Sequence, residues 1–196
     1  QNISKALDTL DIYWLYGSNY EIGSRDQNCV YFKFQNVSKD GVNFYTVNAN
    51  SVESDRVDYT GIFYSLPMIA LNGSRVERNT SNALYINSAS AGERITQATN
   101  FSLIYSEPGK CLIFLVLKQA MDIRETWPHN LDSYENHCII LLTESEARRG
   151  INSAPSNSTR CQNMFRNACL KYDNEILKTR FSNNCPSAEV RAPPAC

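Results

Sequence analysis

Two short apolar runs each begin with a cysteine, CLIFLVL at 111–117 and CIILLT at 138–143, and CVYFKF at 29–34 has the same form. A cysteine that heads a strand ties it to another part of the chain, and the bond sets which face of the strand points where. Seven cysteines are present, at 29, 111, 138, 161, 169, 185 and 196. None forms a C-x-x-C pair, and His129 and His137 are too few to complete a conventional zinc site. A disulfide framework is the expected use, with no metal and no cofactor. Disulfides persist in oxidising compartments, so the expectation is a secreted, extracellular protein.

The 196 residues suffice for one domain with a full core and are short for two. Lys plus Arg number 19 against 20 Asp plus Glu, for a net charge of −1, which argues against a nucleic-acid partner. CLIFLVL is the longest wholly apolar run, whereas a membrane-crossing helix takes about twenty residues, so no membrane partner is expected. The chain opens at Gln1 without a charged, apolar leader, as a mature secreted form or one never targeted would. N-x-S/T sequons at Asn2, Asn36, Asn72, Asn79, Asn100 and Asn157 favour the first reading and mark candidate glycosylation sites.

Eight segments rich in Tyr, Phe, Val and Ile read as strands: 12–16, 29–34, 42–48, 62–66, 83–88, 101–106, 111–117 and 138–143. Gly, Asn, Asp, Ser and Pro clusters separate them, with Pro108 and Gly109 in a tight hairpin. The spacing fits an antiparallel meander closed into a barrel, an all-β fold spanning about 12–143. A short N-terminal helix is expected in SKALDTLDI, with Ser4 as its cap. A second helix is expected over 158–178, where Cys161, Met164, Phe165, Ala168, Cys169 and Tyr172 form one apolar stripe. Its two cysteines stand about 12 Å apart, beyond the roughly 7 Å that a disulfide spans between Cα atoms. They cannot bond each other, and the strand-head cysteines are the available partners. The tail, 179–196, with its prolines, reads as extended over the surface.

In a closed barrel alternate side chains point in and out, and an external helix meets only the outward set. If Cys29, Cys111 and Cys138 point outward to the helix and tail, their neighbours point inward. The interior wall is then Val30, Phe32 and Phe34, Leu112, Phe114 and Val116, and Ile139 and Leu141. All are apolar, so the interior either packs solid or holds an apolar ligand; an ammonium would lack a counter-charge. Trp14, on the first strand, is a further candidate for the lining, as a plug at the barrel base or as a ligand contact.

The aromatic first strand, Cys29 in the second, the PGKC hairpin, Cys138 in the last barrel strand, the CQNMFRNAC helix and the later Cys185-Pro186 together resemble the salivary lipocalins of blood-feeding ticks. The resemblance spans nearly the whole chain. It implies an eight-stranded antiparallel lipocalin-like barrel with the C-terminal helix packed outside, and the pairs Cys29–Cys169, Cys111–Cys161 and Cys138–Cys185. Cys196 is then unpaired, bridges a second chain into a disulfide dimer, or takes the place of Cys185 as a partner. Members that capture histamine or serotonin carry an acid after the hairpin cysteine and a Glu-Leu-aromatic run after the last-strand cysteine. Here those places hold Leu112 and Ile139-Ile140, so amine capture is disfavoured, with Asp11, Asp58 or Glu93 left as carboxylates from another wall.

No nucleophile elbow or base-orienter pattern is present, and an enzyme is not expected. Two binding modes remain. In one, the barrel sequesters a lipid, sterol or eicosanoid. In the other, favoured by the long connection 118–136, the loops grip a host defence protein, and the resemblance points to a complement component such as properdin. Contact candidates for that partner are Arg124, Trp127 and His129 in the long connection, and Arg148 and Arg149 in SEARRG, which otherwise reads as a charged helix end or loop.

Overall fold

A computed structural model describes residues 1–9, 11–22, 28–51, 56–69, 74–88, 100–117, 137–152, 160–170 and 176–188. The barrel strands are β1 (Ile12–Ser18), β2 (Val30–Gln35), β3 (Gly41–Asn48) and β4 (Arg56–Tyr64). After a small two-stranded sheet, β5 (Met68–Ile69) and β6 (Arg75–Val76), come β7 (Ala83–Ser88), β8 (Asn100–Glu107), β9 (Cys111–Leu117) and β10 (Cys138–Thr143). Each barrel strand pairs antiparallel with the next, and β10 returns to β1, closing an eight-stranded barrel. Outside it lie α2 (Glu144–Asn152) and α3 (Arg160–Cys169), followed by β11 (Lys178–Thr179). Among the described residues no helix is long and apolar enough to cross a membrane.

The two ends of the barrel differ. The turn between β2 and β3, the Gly109 hairpin and the helix α1 (Ile3–Leu7) gather at one end. Gly109, at φ +69°, takes the left-handed conformation that glycine adopts without a steric cost. α1 buries Ile3, Ala6 and Leu7 against the barrel core and donates from the Ile3 N–H to the Ser81 carbonyl, sealing this end. Its cap is Asn2 rather than Ser4: the Asn2 Oδ1 accepts from Lys5 N–H, and the Ser4 hydroxyl is spent on that same oxygen. The last residues of β1, β3, β7 and β9 and the first of β2, β4, β8 and β10 lie at the opposite end.

Two apolar cores lie on either side of the barrel wall. The inner one collects alternate residues from all eight strands; the outer one joins the three strand-head cysteines, Ile113, Ile140 and Leu142 to Phe165 and the α3 cysteines. The outer core depends on amphipathic α3, whose buried residues are Cys161, Gln162, Phe165 and Cys169. The expected helix over 158–178 is shorter: α3 ends at Cys169, and the chain is already extended at 178–179, where β11 pairs with Gly17 and Ser18. The tail is also more than a surface wrap, because Phe181 and Cys185 are buried in the outer core. Glu21 clamps it from outside, accepting from Lys178 Nζ at 2.8 Å and from Arg180 at 2.9 Å, contacts that hold its carboxyl below the usual range.

Two of the three expected disulfide pairings are exchanged. The bonds are Cys111–Cys161, as expected, with Cys138–Cys169 and Cys29–Cys185 in place of Cys138–Cys185 and Cys29–Cys169. In the β9–β10 ladder Cys111 lies opposite Leu142, and Cys138 opposite Leu115. The two cysteines therefore sit four rungs apart, about 13 Å along the strands. That matches the roughly 12 Å spanned by eight helical residues, so α3 lies as a strut with a cysteine at each end. Asn19 fixes its far end, donating to the Cys169 carbonyl and accepting from Cys138 N–H, each at 2.8 Å. Cys29 sits beyond β1, beside the tail: its N–H donates to the Arg180 carbonyl at 3.0 Å.

Candidate functional site

The eight residues placed inside by the cysteine argument, Val30, Phe32, Phe34, Leu112, Phe114, Val116, Ile139 and Leu141, all belong to the inner core. Trp14 does not. It is fully buried in the outer core, edge-on to Tyr31 at 5.3 Å and tilted against Phe181 at 5.1 Å, so it packs under the tail and does not line the lumen. Its neighbours Tyr13 and Leu15 face inward instead. β1 is buried on both faces, lumen and outer core, so alternating polarity could not set its phase.

Residues from β3, β4, β7 and β8 complete the lining: Val42, Phe44, Tyr59, Phe63, Leu84, Phe101 and Leu103. These strands carry no cysteine, yet polar alternation marks β3 and β4, where exposed Asn43 and Thr60 alternate with buried Phe44 and Tyr59. The lining is strongly aromatic. Phe44 stacks on Tyr59 at 5.0 Å between centroids and leans on Phe34 at 5.6 Å, and Phe101 meets Phe114 edge-on at 6.2 Å.

Charge is kept out of this wall. Glu146 is the only buried carboxylate among the described residues, and it lies on α2, outside the barrel, paired with Arg149 at 2.8 Å. Asp58 faces solvent, bonded to Arg56, whose guanidinium covers the Tyr45 ring at 4.0 Å. Asp11 sits near the sealed end and accepts from the Thr9 hydroxyl. Glu93 lies outside the described residues.

The protein-contact candidates fare differently. Arg124, Trp127, His129 and the whole connection 118–136 fall outside the described residues, as does Cys196. SEARRG is the body of α2. Arg148 is built into that region: it bonds Glu144 at 2.8 Å, donates to the Cys185 carbonyl and covers the Phe181 ring. Arg149 projects further and is 64% exposed. Among the sequons, Asn36 and Asn79 are exposed, whereas the Asn2 side chain caps α1. Asn100 is 5% exposed and accepts from Tyr64 OH, which leaves no room for a glycan in the folded barrel. Asn72 and Asn157 are outside the described residues.

No protein-family model and no curated protein matches the chain. Among solved structures it is similar to AM182 in a serotonin complex, with a TM-score of 0.58 and 10% identity over 95% of this chain and 93% of that one. It is also similar to Japanin from Rhipicephalus appendiculatus bound to cholesterol, with a TM-score of 0.50 and 11% identity over 84% of this chain and 90% of that one. At these identities the likeness is one of fold, a lipocalin-like barrel.

Proposed function

We propose that this chain is a tick-type salivary lipocalin that is secreted and acts without catalysis, sequestering a small apolar or amphiphilic mediator such as a sterol, fatty acid or eicosanoid. The observation that carries this reading is the aromatic inner wall, free of buried carboxylates among the described residues. An ammonium entering such a wall would lose its hydration without gaining an ion pair. Neighbours bound to serotonin and to cholesterol support a small guest in general; the neutral lining favours the cholesterol kind. The disulfides support secretion.

Calorimetric titration with cholesterol, arachidonic acid, histamine and serotonin tests the proposal. Saturable 1:1 binding of one of the lipids, with neither amine bound, is the expected result. Tighter binding of either amine would overturn it.

A second reading, capture of a host defence protein such as the complement component properdin, retains one support. The β9–β10 connection is far longer than a hairpin requires and leaves from the end of the barrel opposite α1. Arg148 no longer favours it, being held within the outer packing. If no lipid binds and a serum pull-down retains one complement protein whose affinity falls on substituting Arg124 and Trp127 by alanine, this reading replaces the first.

A further inference from the structure

Most buried polar groups of the described chain find partners within it. Ser18 donates to the Tyr20 carbonyl at 2.7 Å, Asn82 accepts from Leu66 N–H at 2.8 Å, and Gln162 donates to Tyr16 OH at 3.0 Å. Two hydroxyls on adjacent strands of the inner wall do not. Thr46 is 1% exposed and Tyr59 8% exposed, and among the described residues neither Thr46 Oγ1 nor Tyr59 OH has a hydrogen-bond partner. The other unpartnered buried groups lie apart from this wall segment. Trp14 Nε1 is in the outer core, Tyr13 OH lies near Thr9 and Gly109 at the sealed end, and Tyr20 stacks on His137 beside the opposite rim. Arg78 and Arg180 belong to a connection and to the tail.

Register puts the two hydroxyl-bearing residues on one face. Thr46 lies opposite Val57 on β4 and Phe32 on β2, while Tyr59 lies opposite Phe44. Thr46 and Tyr59 are thus diagonal cross-strand neighbours, about 7–8 Å apart at the backbone, set among aromatic and aliphatic side chains. An unpaired hydroxyl in such surroundings destabilises the fold, and valine or phenylalanine would fill the same space without that cost.

We propose that Thr46 and Tyr59 form a neutral polar anchor in the lumen, which hydrogen-bonds the hydroxyl or carbonyl of an uncharged lipid such as a sterol. The inference rests on the sequestration reading and narrows it. Among the described residues no buried Lys or Arg is present to pair with a fatty-acid carboxylate, and no carboxylate of the wall to pair with an amine. Hydroxyls donate and accept alike, so they suit a neutral head group.

Two fluorescent probes separate the anchor from the lumen itself: dehydroergosterol, which carries one hydroxyl, and diphenylhexatriene, a hydrocarbon with none. Both are titrated into the wild-type protein, Thr46→Val, Tyr59→Phe and the double variant. The expected result is a roughly 3- to 10-fold weaker dehydroergosterol Kd in one or both single variants, the worth of one hydrogen bond, and a larger loss in the double variant. Diphenylhexatriene binding should stay within about twofold, which also shows that each barrel is intact. Unchanged dehydroergosterol binding in the double variant, or equal weakening of both probes, overturns the anchor and leaves sequestration standing. Failure of the wild-type protein to bind either probe overturns both.

Discussion

Thr46 and Tyr59 make a claim that can be read without any ligand. If their hydroxyls are unpaired in the unliganded barrel, removing them relieves a desolvation cost. Thr46→Val and Tyr59→Phe should each stabilise the unliganded protein by about 1 kcal/mol, raising Tm by about 2–4 °C in thermal unfolding. Destabilisation by either would show that its hydroxyl is satisfied. Other phenols respond to pH. Burial pushes Tyr13, Tyr20 and Tyr64 up to about 12, with Asp11 adding to the shift at Tyr13 and Arg180 opposing it at Tyr20. An unfolded tyrosine ionises near 10, so the folded chain holds these protons more tightly. Their contribution to stability is complete below pH 10 and is lost as pH rises through about 12. Urea midpoints measured at pH 9 and 11 should fall with pH, and a flat profile would contradict the burial of these rings.

At the scale of elements, α3 is a strut whose ends are bonded to neighbouring antiparallel strands. Replacing Cys138 and Cys169 together by alanine should cost about 3 kcal/mol in urea unfolding; a negligible change would mean that Asn19 and the outer core hold this end unaided. The strands were legible because short β-rich segments alternate with turn residues, and the phase of β2, β9 and β10 followed from cysteines that had to face the helix or the tail. β4 begins at Arg56, earlier than hydrophobicity indicates, since its outer face is Arg56, Asp58 and Thr60 and only the inner face is apolar. α2 was hard to see because its charges pair along its own surface, Glu144 with Arg148 and Glu146 with Arg149, leaving little apolar stripe. The exchanged disulfides could not be read from spacing. Which strand-head cysteine meets which end of α3 depends on the β9–β10 register and on β11 inserting beside β1, both long-range facts. Thr46 escaped notice for another reason: a threonine in a strand is ordinary until its neighbours are known to be lumen.

For the molecule as a whole, the inner wall and the outer corset do separate work. The lumen carries the candidate chemistry, and the outer core carries the cross-links. All three bridges attach to β9, β10 and the start of β2, on the side covered by α3 and the tail. β3, β4, β7 and β8 bear none; the described part of the β7–β8 ladder runs from Ala83–Ser102 to Tyr85–Asn100. The covalent bracing is thus one-sided, and Thr46 and Tyr59 lie on strands without it, β3 and β4. Amide hydrogen exchange should be faster in unbridged β7 than in bridged β10, and a captured lipid should slow it in β3 and β4 more than in β9 and β10. Chemical reduction of the bridges would then slacken the braced side of the barrel while leaving in place the two hydroxyls that would hold a guest.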